Sequence, residues 1–378
     1  CERESPDFLL LAGDVYNQED ASVSAQLALR DGFRRLESLS IPVFLVHGNH
    51  DPLASRLRSV RWPGNVTVFG ELPDAVPVFR KGEGTPLAII HGASHASGRE
   101  TRNLAALFRR TEACGLHVGL LHATPGDADG VARYAPFSQG DLKASGMDYW
   151  ALGHIHDRRE VCREPLAAYP GCTQGLHINE PGEKGCLLVT AEARPDGGYA
   201  VRTSFRPLGP AVWKTLDMDL GGAASLDELE NRLRTGLDRA AAEVWSGCEM
   251  LLVRLRLQGR TELDGLLRKG TTCAELADRL REDGSGVPRI WIKDIDVATR
   301  PCVERGALLE REDLLGEVFR LSEAARTASG LQALREGPLA PLFAHARAGK
   351  ALEPLTDEEL ARLLDDAESL CLDLLEND

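Results

Sequence analysis

Five short apolar runs recur in the first half of the chain, and glycine or polar residues follow each of them. The runs cover residues 8–12, 42–47, 87–91, 116–122 and 148–153. Short continuous runs of this kind are typical of strands that are buried on both faces. Between the first two runs, residues 20–39 have the apolar spacing of a helix, with Asp20 as its predicted N-cap. This strand–helix–strand order indicates an α/β sheet.

The second half of the chain predicts a different organisation. Residues 185–206 form two strand-like segments around Pro195-Asp196-Gly197-Gly198, a sequence typical of a hairpin turn. Beyond them, strands and helices alternate and predict a second, smaller α/β domain. The strands are expected near 212–220, 249–257 and 289–297, and the helices near 225–244, where Ser225 is the expected N-cap, and 272–282. After residue 303 the pattern is purely helical, with leucine-spaced segments at 312–335 and 356–376. We therefore predict three regions, which cover residues 1–208, 209–302 and 303–378.

Charge and cysteine content narrow the classes of protein. The 44 basic and 58 acidic residues of this 378-residue chain give a net charge of −14, which excludes a uniformly basic nucleic-acid binder but not a local basic groove. Residues 353–378 hold ten acids and one base, a net charge of −9. No apolar run approaches the about 18 residues that a membrane-spanning helix needs. Nine cysteines without a CxxC pair indicate reduced thiols in a cytoplasmic protein.

The polar residues that follow the predicted strands suggest metal chemistry. They are Asp14, Asn49, His50, His122, His154 and His156. In open α/β sheets, ligands bind at the carboxyl ends of the strands. Carboxylate, amide and imidazole ligands suit manganese, iron or zinc, and two such cations can polarise a phosphoryl oxygen. A single histidine at a strand end is more often structural, but the ordered set GD, GNHD, His and GHIH is much more specific.

These motifs resemble those of the calcineurin-like metallophosphoesterases over about residues 7–190. Longer segments are similar to the DNA-repair exonucleases of the SbcD and YhaO type. These segments are FLLLAGDVYNQED at 8–20, VFLVHGNHDP at 43–52, GLLHATPG at 119–126, YAPFSQGDL at 134–142, YWALGHIHDR at 149–158 and YPGCTQGLHINEPGEKGC at 169–186.

The resemblance implies a fold and a function. The expected fold is α/β, a four-layer αββα sandwich of two mixed sheets, followed by the smaller α/β domain as a cap and by a helical C-terminal tail. The expected function is a metal-dependent DNA exonuclease or endonuclease in DNA repair. A phosphatase, a small-molecule phosphodiesterase and a non-catalytic scaffold subunit are the alternatives. The expected partners are DNA and an SMC-like coiled-coil ATPase of the YhaN type, and a homodimer is compatible with the resemblance.

The resemblance also implies roles for the polar residues around two divalent cations, with manganese as the expected metal. Asp14 matches the carboxylate that bridges both cations. Asn49, His122 and His154 match the other ligands of one cation, and His156 matches a ligand of the second. His50 matches the non-ligand histidine that assists the leaving group. Next to it, Asp51 either orients His50 or serves as a turn residue.

Two departures from the family pattern concern the metal site and its surroundings. The Asp-x-His motif that opens the family pattern is absent, so only one cation has a complete ligand set here. We expect that an N-terminal segment is missing and that the chain is inactive without it. Cys172 and Leu176 stand where asparagine and a basic residue are expected, which puts substrate contacts near them in doubt.

Other polar side chains have less specific patterns. His91 and His95 either line the groove or lie in the core, whereas His117 falls inside a strand and is expected in the core. Several arginines either contact phosphates or form a solvated surface. They are Arg99, Arg102, Arg109 and Arg110, together with Arg254 and Arg256 on one predicted strand.

Overall fold

The computed structural model describes most of the chain as two compact units. The described residues are 1–16, 22–55, 60–126, 133–195, 197–282, 286–302, 305–345 and 355–375. One unit lies within residues 1–217, 233–256 and 273–296, and the other lies within residues 218–232, 257–272 and 297–378. The domain boundaries expected from the sequence remain a prediction.

The first sheet contains three parallel strands. In the order in which they pair, they are β1 (Leu9–Ala12), β2 (Val43–Val46) and β3 (Val66–Val68). Helix α1 (Val23–Ser38) connects β1 to β2 and begins after Ser22, whose side chain accepts the N–H of Ala25. The prediction of Asp20 as the N-cap is therefore wrong, because Ser22 satisfies the first turn, and Asp20 itself lies outside the described residues.

The second sheet contains six strands in the order β4-β5-β6-β7-β9-β8. Their bounds are β4 Asp74–Val78, β5 Ala88–Ala93, β6 Leu116–His122, β7 Tyr149–Gly153, β8 Arg159–Arg163 and β9 Leu166–Tyr169. The four inner strands pair in parallel, and β4 and β8 are antiparallel edges. Helix α2 (Gln139–Ala144) and a 3-10 turn (Ala105–Leu107) follow β6 and β5, respectively.

Three hydrophobic clusters place the two sheets in a sandwich. Phe44 of β2 packs with Leu120 of β6 in the core between the sheets. On the outer face of the second sheet, Trp150 packs with Phe108 and Leu142. On the outer face of the first sheet, α1 covers the strands; the core there consists of Phe33, Val43 and Leu45. The helix–sheet–sheet–helix order confirms the α/β fold class, and the first sheet is parallel in its described strands.

The predicted hairpin and second set of strands are also present. Strands β10 (Gly185–Ala193) and β11 (Tyr199–Pro207) form an antiparallel hairpin. A three-stranded sheet then follows, in the order β12 (Ala211–Asp219), β13 (Met250–Thr261) and β14 (Arg289–Pro301). The helices between its strands are α3 (Leu226–Ala242), α4 (Asp264–Leu267) and α5 (Thr272–Glu282). The predicted cap of α3 is confirmed, because the Ser225 hydroxyl accepts the N–H of Glu228.

The C-terminal region is helical, as predicted. Its helices are α6 (Arg305–Leu309), α7 (Leu314–Ala325), α8 (Ala328–Glu336), α9 (Ala340–Ala344) and α10 (Asp357–Leu375). Leu315, Phe319 and Leu372 lie in one buried cluster that joins α7 to α10. The expected helix at 312–335 is two helices, because Thr327 caps a new helix by accepting the N–H of Gly330. None of the helices in the described segments has the length and apolar character needed to cross a membrane.

Candidate metal centre

Four of the predicted site residues lie at the carboxyl ends of strands in the two sheets. Asp14 and Asn49 follow β1 and β2, which are parallel neighbours in the first sheet. His122 is the last residue of β6, and His154 follows β7, its parallel neighbour in the second sheet. Donor atoms of Asp14, His122 and His154 all lie within 4.8 Å of one another. The sandwich therefore brings together residues that are more than one hundred positions apart in the sequence.

The ring of His122 shows why this place suits a cation. Its Nδ1 is 2.8 Å from the carbonyl oxygen of Ala12, and a carbonyl can only accept, so Nδ1 carries the proton. In the neutral ring, Nε2 then has a lone pair. It faces the Asn49 Oδ1 at 3.0 Å and the Asp14 Oδ2 at 3.2 Å. Three electron pairs thus converge on one point, and a divalent cation would satisfy all of them.

Asp14 is held in its ionised form at this point. Burial by itself would raise the pKa of the carboxyl group, but the interaction with a protonated His122 ring and with the N–H of His50 outweighs burial and lowers the pKa. The N–H of His50 donates to Asp14 Oδ1 over 2.8 Å. Both Asp14 and His154 have positive φ angles, 51° and 103°, which are uncommon for residues other than glycine. Backbone strain of this kind is often found at functional sites.

Two motif glycines make the close approach of these loops possible. A Cβ atom on Gly48 would lie 2.3 Å from Asp14 Oδ1 and 2.8 Å from the His122 ring. A Cβ atom on Gly153 would lie 1.8 Å from the carbonyl oxygen of Ala12, the acceptor that fixes the His122 ring. Any larger side chain at these positions would push the strand ends apart.

The side chain of Asp51 accepts hydrogen bonds from the backbone of the site. Its buried carboxylate accepts the N–H groups of Asp14, Val15 and Gly48 over 2.8 to 3.1 Å. These bonds tie the loop after β1 to the loop after β2, which favours the interpretation of Asp51 as a turn residue. The side chain of His50 is exposed beside this loop, and its catalytic role stays a prediction.

His156 lies in a second group of donors. Its Nδ1 is 2.5 Å from the Oε1 of Glu180, and Cys172 completes a group whose donor atoms lie within 4.8 Å of one another. The sequence interpretation did not identify Glu180 as a site residue. Its distance from His156 along the chain carries no motif signal, and only the fold brings the two side chains together.

Comparisons with known proteins agree with this geometry. A profile of the calcineurin-like phosphoesterase family matches residues 1–158, and a profile of the middle domain of the metallophosphoesterase YhaO matches residues 213–300. YhaO of Bacillus subtilis (strain 168) is 33% identical over 342 residues, which cover 89% of this chain and 80% of the relative. This chain belongs to the YhaO-type, calcineurin-like metallophosphoesterases.

Two archaeal relatives of this metallophosphoesterase carry the name DNA double-strand break repair protein Mre11. The protein from Aeropyrum pernix is 28% identical over 271 residues, or 64% of this chain and 60% of the relative. The protein from Haloferax volcanii is 24% identical over 341 residues, or 84% of this chain and 69% of the relative. Metallophosphoesterases of this family use divalent metal ions, and the donor set around His122 fits such an ion.

Three further histidines of the metallophosphoesterase, His91, His95 and His117, are buried and hydrogen-bonded. His91 Nε2 lies 2.9 Å from His117 Nδ1, and His117 Nε2 lies 2.9 Å from the carbonyl oxygen of Ala113. This pair confirms the core interpretation of His91 and His117. His95 is also buried, and its Nε2 is 2.7 Å from the carbonyl oxygen of His122. Burial is the main reason why the pKa of His95 is lowered to about 4, so the ring is neutral and supports the strand end.

The arginines that the sequence singled out as possible phosphate contacts include paired and unpaired side chains. Arg102 makes a bidentate ion pair with the buried Glu100, and Arg110 pairs with Asp148. Arg109 donates to two backbone carbonyl groups. Within the described segments, the guanidinium group of Arg99 has no hydrogen-bond or ion-pair partner. On β13, Arg254 pairs with Asp294, and Arg256 pairs with Asp217 and Asp296, which leaves little charge for phosphates.

Proposed function

We propose that this metallophosphoesterase hydrolyses phosphodiester bonds at DNA ends, as an exonuclease or endonuclease in cytoplasmic DNA repair. The convergence of three electron pairs on one point beside His122 is the observation that carries the proposal, since it supplies a place for a catalytic cation. The names of the archaeal relatives support DNA as the substrate.

Asp14, Asn49, His122 and His154 hold one cation in this proposal. Asp14 and His156 would hold a second cation, and manganese is the proposed metal of both sites. When bound, such cations would supply polarisation of the phosphoryl oxygens. The His122 ring stays in one tautomer because Ala12 holds its Nδ1–H. His50 donates a proton to the departing oxygen, and its exposed side chain leaves room for a phosphate beside it.

The test measures manganese binding and DNA cleavage by the full-length protein. We expect manganese-dependent cleavage of short single-stranded DNA, and we expect Asp14→Asn and His122→Asn to lose both the bound manganese and the cleavage. His345→Gln is a matched histidine control outside the site. A phosphate monoester and a cyclic nucleotide are assayed in parallel. Hydrolysis of these small molecules without DNA cleavage would support the alternative phosphatase or small-molecule phosphodiesterase function.

We also propose that the helical tail contacts the partner ATPase. Leu363, Leu370 and Leu374 of α10 are exposed and lie within about 40° of one another around the helix at 100° per residue. Because residues 353–378 carry a net charge of −9, this surface repels DNA and suits a protein partner. An apolar stripe on one helix face is typical of docking against another helix. The proposed partner is the SMC-like coiled-coil ATPase of the YhaN type.

A further inference from the structure

The loop after β9 brings Cys172 next to His156. The N–H of Cys172 donates to the carbonyl oxygen of His156 over 3.2 Å. Gly171 has a φ of +80°, and a Cβ atom on it would lie only 2.7 Å from the same carbonyl oxygen. The backbone of this loop is therefore pressed against the loop that carries His156, and this packing holds the thiol beside the imidazole.

Glu180 completes this group from a short turn. The N–H of Glu180 donates to the carbonyl oxygen of His177, and its Oε2 accepts the N–H of Leu176 over 2.8 Å. Its Oε1 faces the Nδ1 of His156, and the carboxylate is largely buried. The turn thus fixes the carboxylate and directs one of its oxygens toward the imidazole and the thiol.

We propose that His156, Cys172 and Glu180 form a binding site for a zinc-like divalent cation, separate from the site at Asp14. Donor atoms of the three residues lie within 4.8 Å of one another. Zinc bonds to nitrogen, oxygen and sulfur are about 2.0–2.3 Å long, which separates neighbouring tetrahedral ligands by about 3.3–3.8 Å. The cation takes the place of the proton between His156 and Glu180, and these two side chains move apart by about 1 Å. His156 can make this movement because more than half of its side chain is exposed.

The donor types distinguish this site from the metal centre at Asp14. A thiolate, an imidazole and a carboxylate together suit zinc, which accepts soft and hard ligands, whereas the oxygen-rich set at Asp14 suits manganese. His177 Nε2 lies 3.6 Å from Glu180 Oε1, within reach as a fourth ligand. The exposed side of His156 gives the ion an entry path.

The two sites use different atoms of His156. Nδ1 faces Glu180, and Nε2 on the opposite side of the ring remains for the second cation of the nuclease proposal. A zinc ion at Cys172 would fix the loop that also carries His154. The inference rests on the contacts of these side chains and does not require nuclease activity.

The test uses cobalt as a spectroscopic probe and zinc for X-ray absorption. Metal-free protein, kept reduced with a phosphine, is titrated with Co²⁺ and monitored for the thiolate-to-cobalt charge-transfer band. We expect a saturable band, and in the zinc-loaded protein a sulfur neighbour at about 2.3 Å from the metal. Cys172→Asn should remove both signals, and Cys114→Asn, at an exposed cysteine, should keep both. Asp14→Asn should also keep both signals, because Asp14 is not a ligand of this site.

Glu180→Gln tests the carboxylate. We expect it to weaken Co²⁺ binding at this site by at least about tenfold. Circular dichroism of the metal-free variants checks that each of them folds. If Glu180→Gln does not fold, Cys172→Asn alone decides the test. Absence of the sulfur signal in the unaltered protein, or its persistence in Cys172→Asn, would overturn the proposal. A Co²⁺ affinity unchanged in Glu180→Gln would also overturn it, and Glu180 would then only orient His156.

Discussion

At the scale of single residues, hydrogen bonds determine which atoms of the metal centre are available. The carbonyl oxygen of Ala12 accepts a hydrogen bond from the Nδ1–H of His122, and the backbone N–H of His50 donates to one oxygen of Asp14. What remains at the centre is a set of lone pairs that face one another. The sequence predicted these residues because each stands in a short motif at a strand end. It could not predict Glu180 or the support from His95, because no local pattern encodes their contacts.

His50 should act on the phosphate and not on the metal. His50→Gln is expected to lower manganese-dependent DNA cleavage by about two to four orders of magnitude, the usual contribution of a general acid or base. The manganese content should stay at the level of the unaltered protein, because Asp14, Asn49, His122 and His154 remain. Cleavage rates and metal content are measured on the same preparation. A loss of manganese in His50→Gln would show that the ring is a ligand.

The buried pair of His91 and His117 should make stability depend on pH. Burial, followed by the charge of His117, lowers the pKa of His91 from 6.5 to about 4. Between these two pH values the unfolded chain binds the proton and the folded chain does not, so stability increases with pH. The neutral His91 ring therefore leaves the free energy of unfolding at its full value above about pH 6.5, and this stability is lost as the pH falls toward 4. A shift of this size corresponds to about 3 kcal/mol.

Urea unfolding between pH 4 and pH 8 measures this effect. His91→Gln should lower the number of protons taken up on unfolding by about one in this pH window, because the titrating ring is gone. The free energy of unfolding then depends less steeply on pH. His345→Gln, in which an exposed histidine is replaced, should leave the slope unchanged. An unchanged slope in His91→Gln would mean that other groups cause the acid sensitivity.

At the scale of helices and strands, burial on both faces explains which elements were predictable. Strands β2, β5 and β6 are fully buried and appear in the sequence as continuous apolar runs. Strands β4 and β8 lie at the edges of the second sheet, where burial is mixed, and their sequences contain Pro77 and several charged residues. Such segments lack a clear period, so only the pairing with neighbouring strands defines them. The break between α7 and α8 was missed because the leucine spacing continues on both sides of it. The single capping residue, Thr327, does not interrupt that pattern clearly.

The exposed leucines of α10 should decide whether the tail binds the ATPase. Replacing Leu363, Leu370 and Leu374 by glutamine is expected to abolish co-purification with the ATPase, because the apolar stripe is lost. DNA cleavage should not change, since the residues of the metal centre are untouched. Leu342→Gln, at an exposed leucine of α9, is the matched control. The docking proposal fails if the triple variant binds the ATPase with unchanged affinity.

At the scale of the whole molecule, a net charge of −14 means that the proposed DNA substrate needs local positive charge on the surface that binds it. Among the arginines that the sequence singled out, Arg102 and Arg110 are neutralised by acidic partners. Arg99 differs, because its guanidinium group is exposed and lacks a partner among the described residues. It lies next to Gly98, where a Cβ atom would be 3.1 Å from the carbonyl oxygen of Asn49. We therefore expect Arg99 to contact a DNA phosphate at the edge of the metal centre.

In the full-length protein, Arg99→Ala should weaken the binding of single-stranded DNA without changing the manganese content. One lost phosphate contact should reduce the slope of log affinity against log salt concentration by about one, uniformly across DNA sequences. Arg239→Ala, at an exposed arginine of α3 that pairs with Glu243, should leave the salt slope unchanged. Fluorescence anisotropy at several salt concentrations measures both slopes. Equal slopes for Arg99→Ala and the unaltered protein would place the DNA on another surface. In that case, the basic residues that bind DNA would lie away from the loop that contains Asn49.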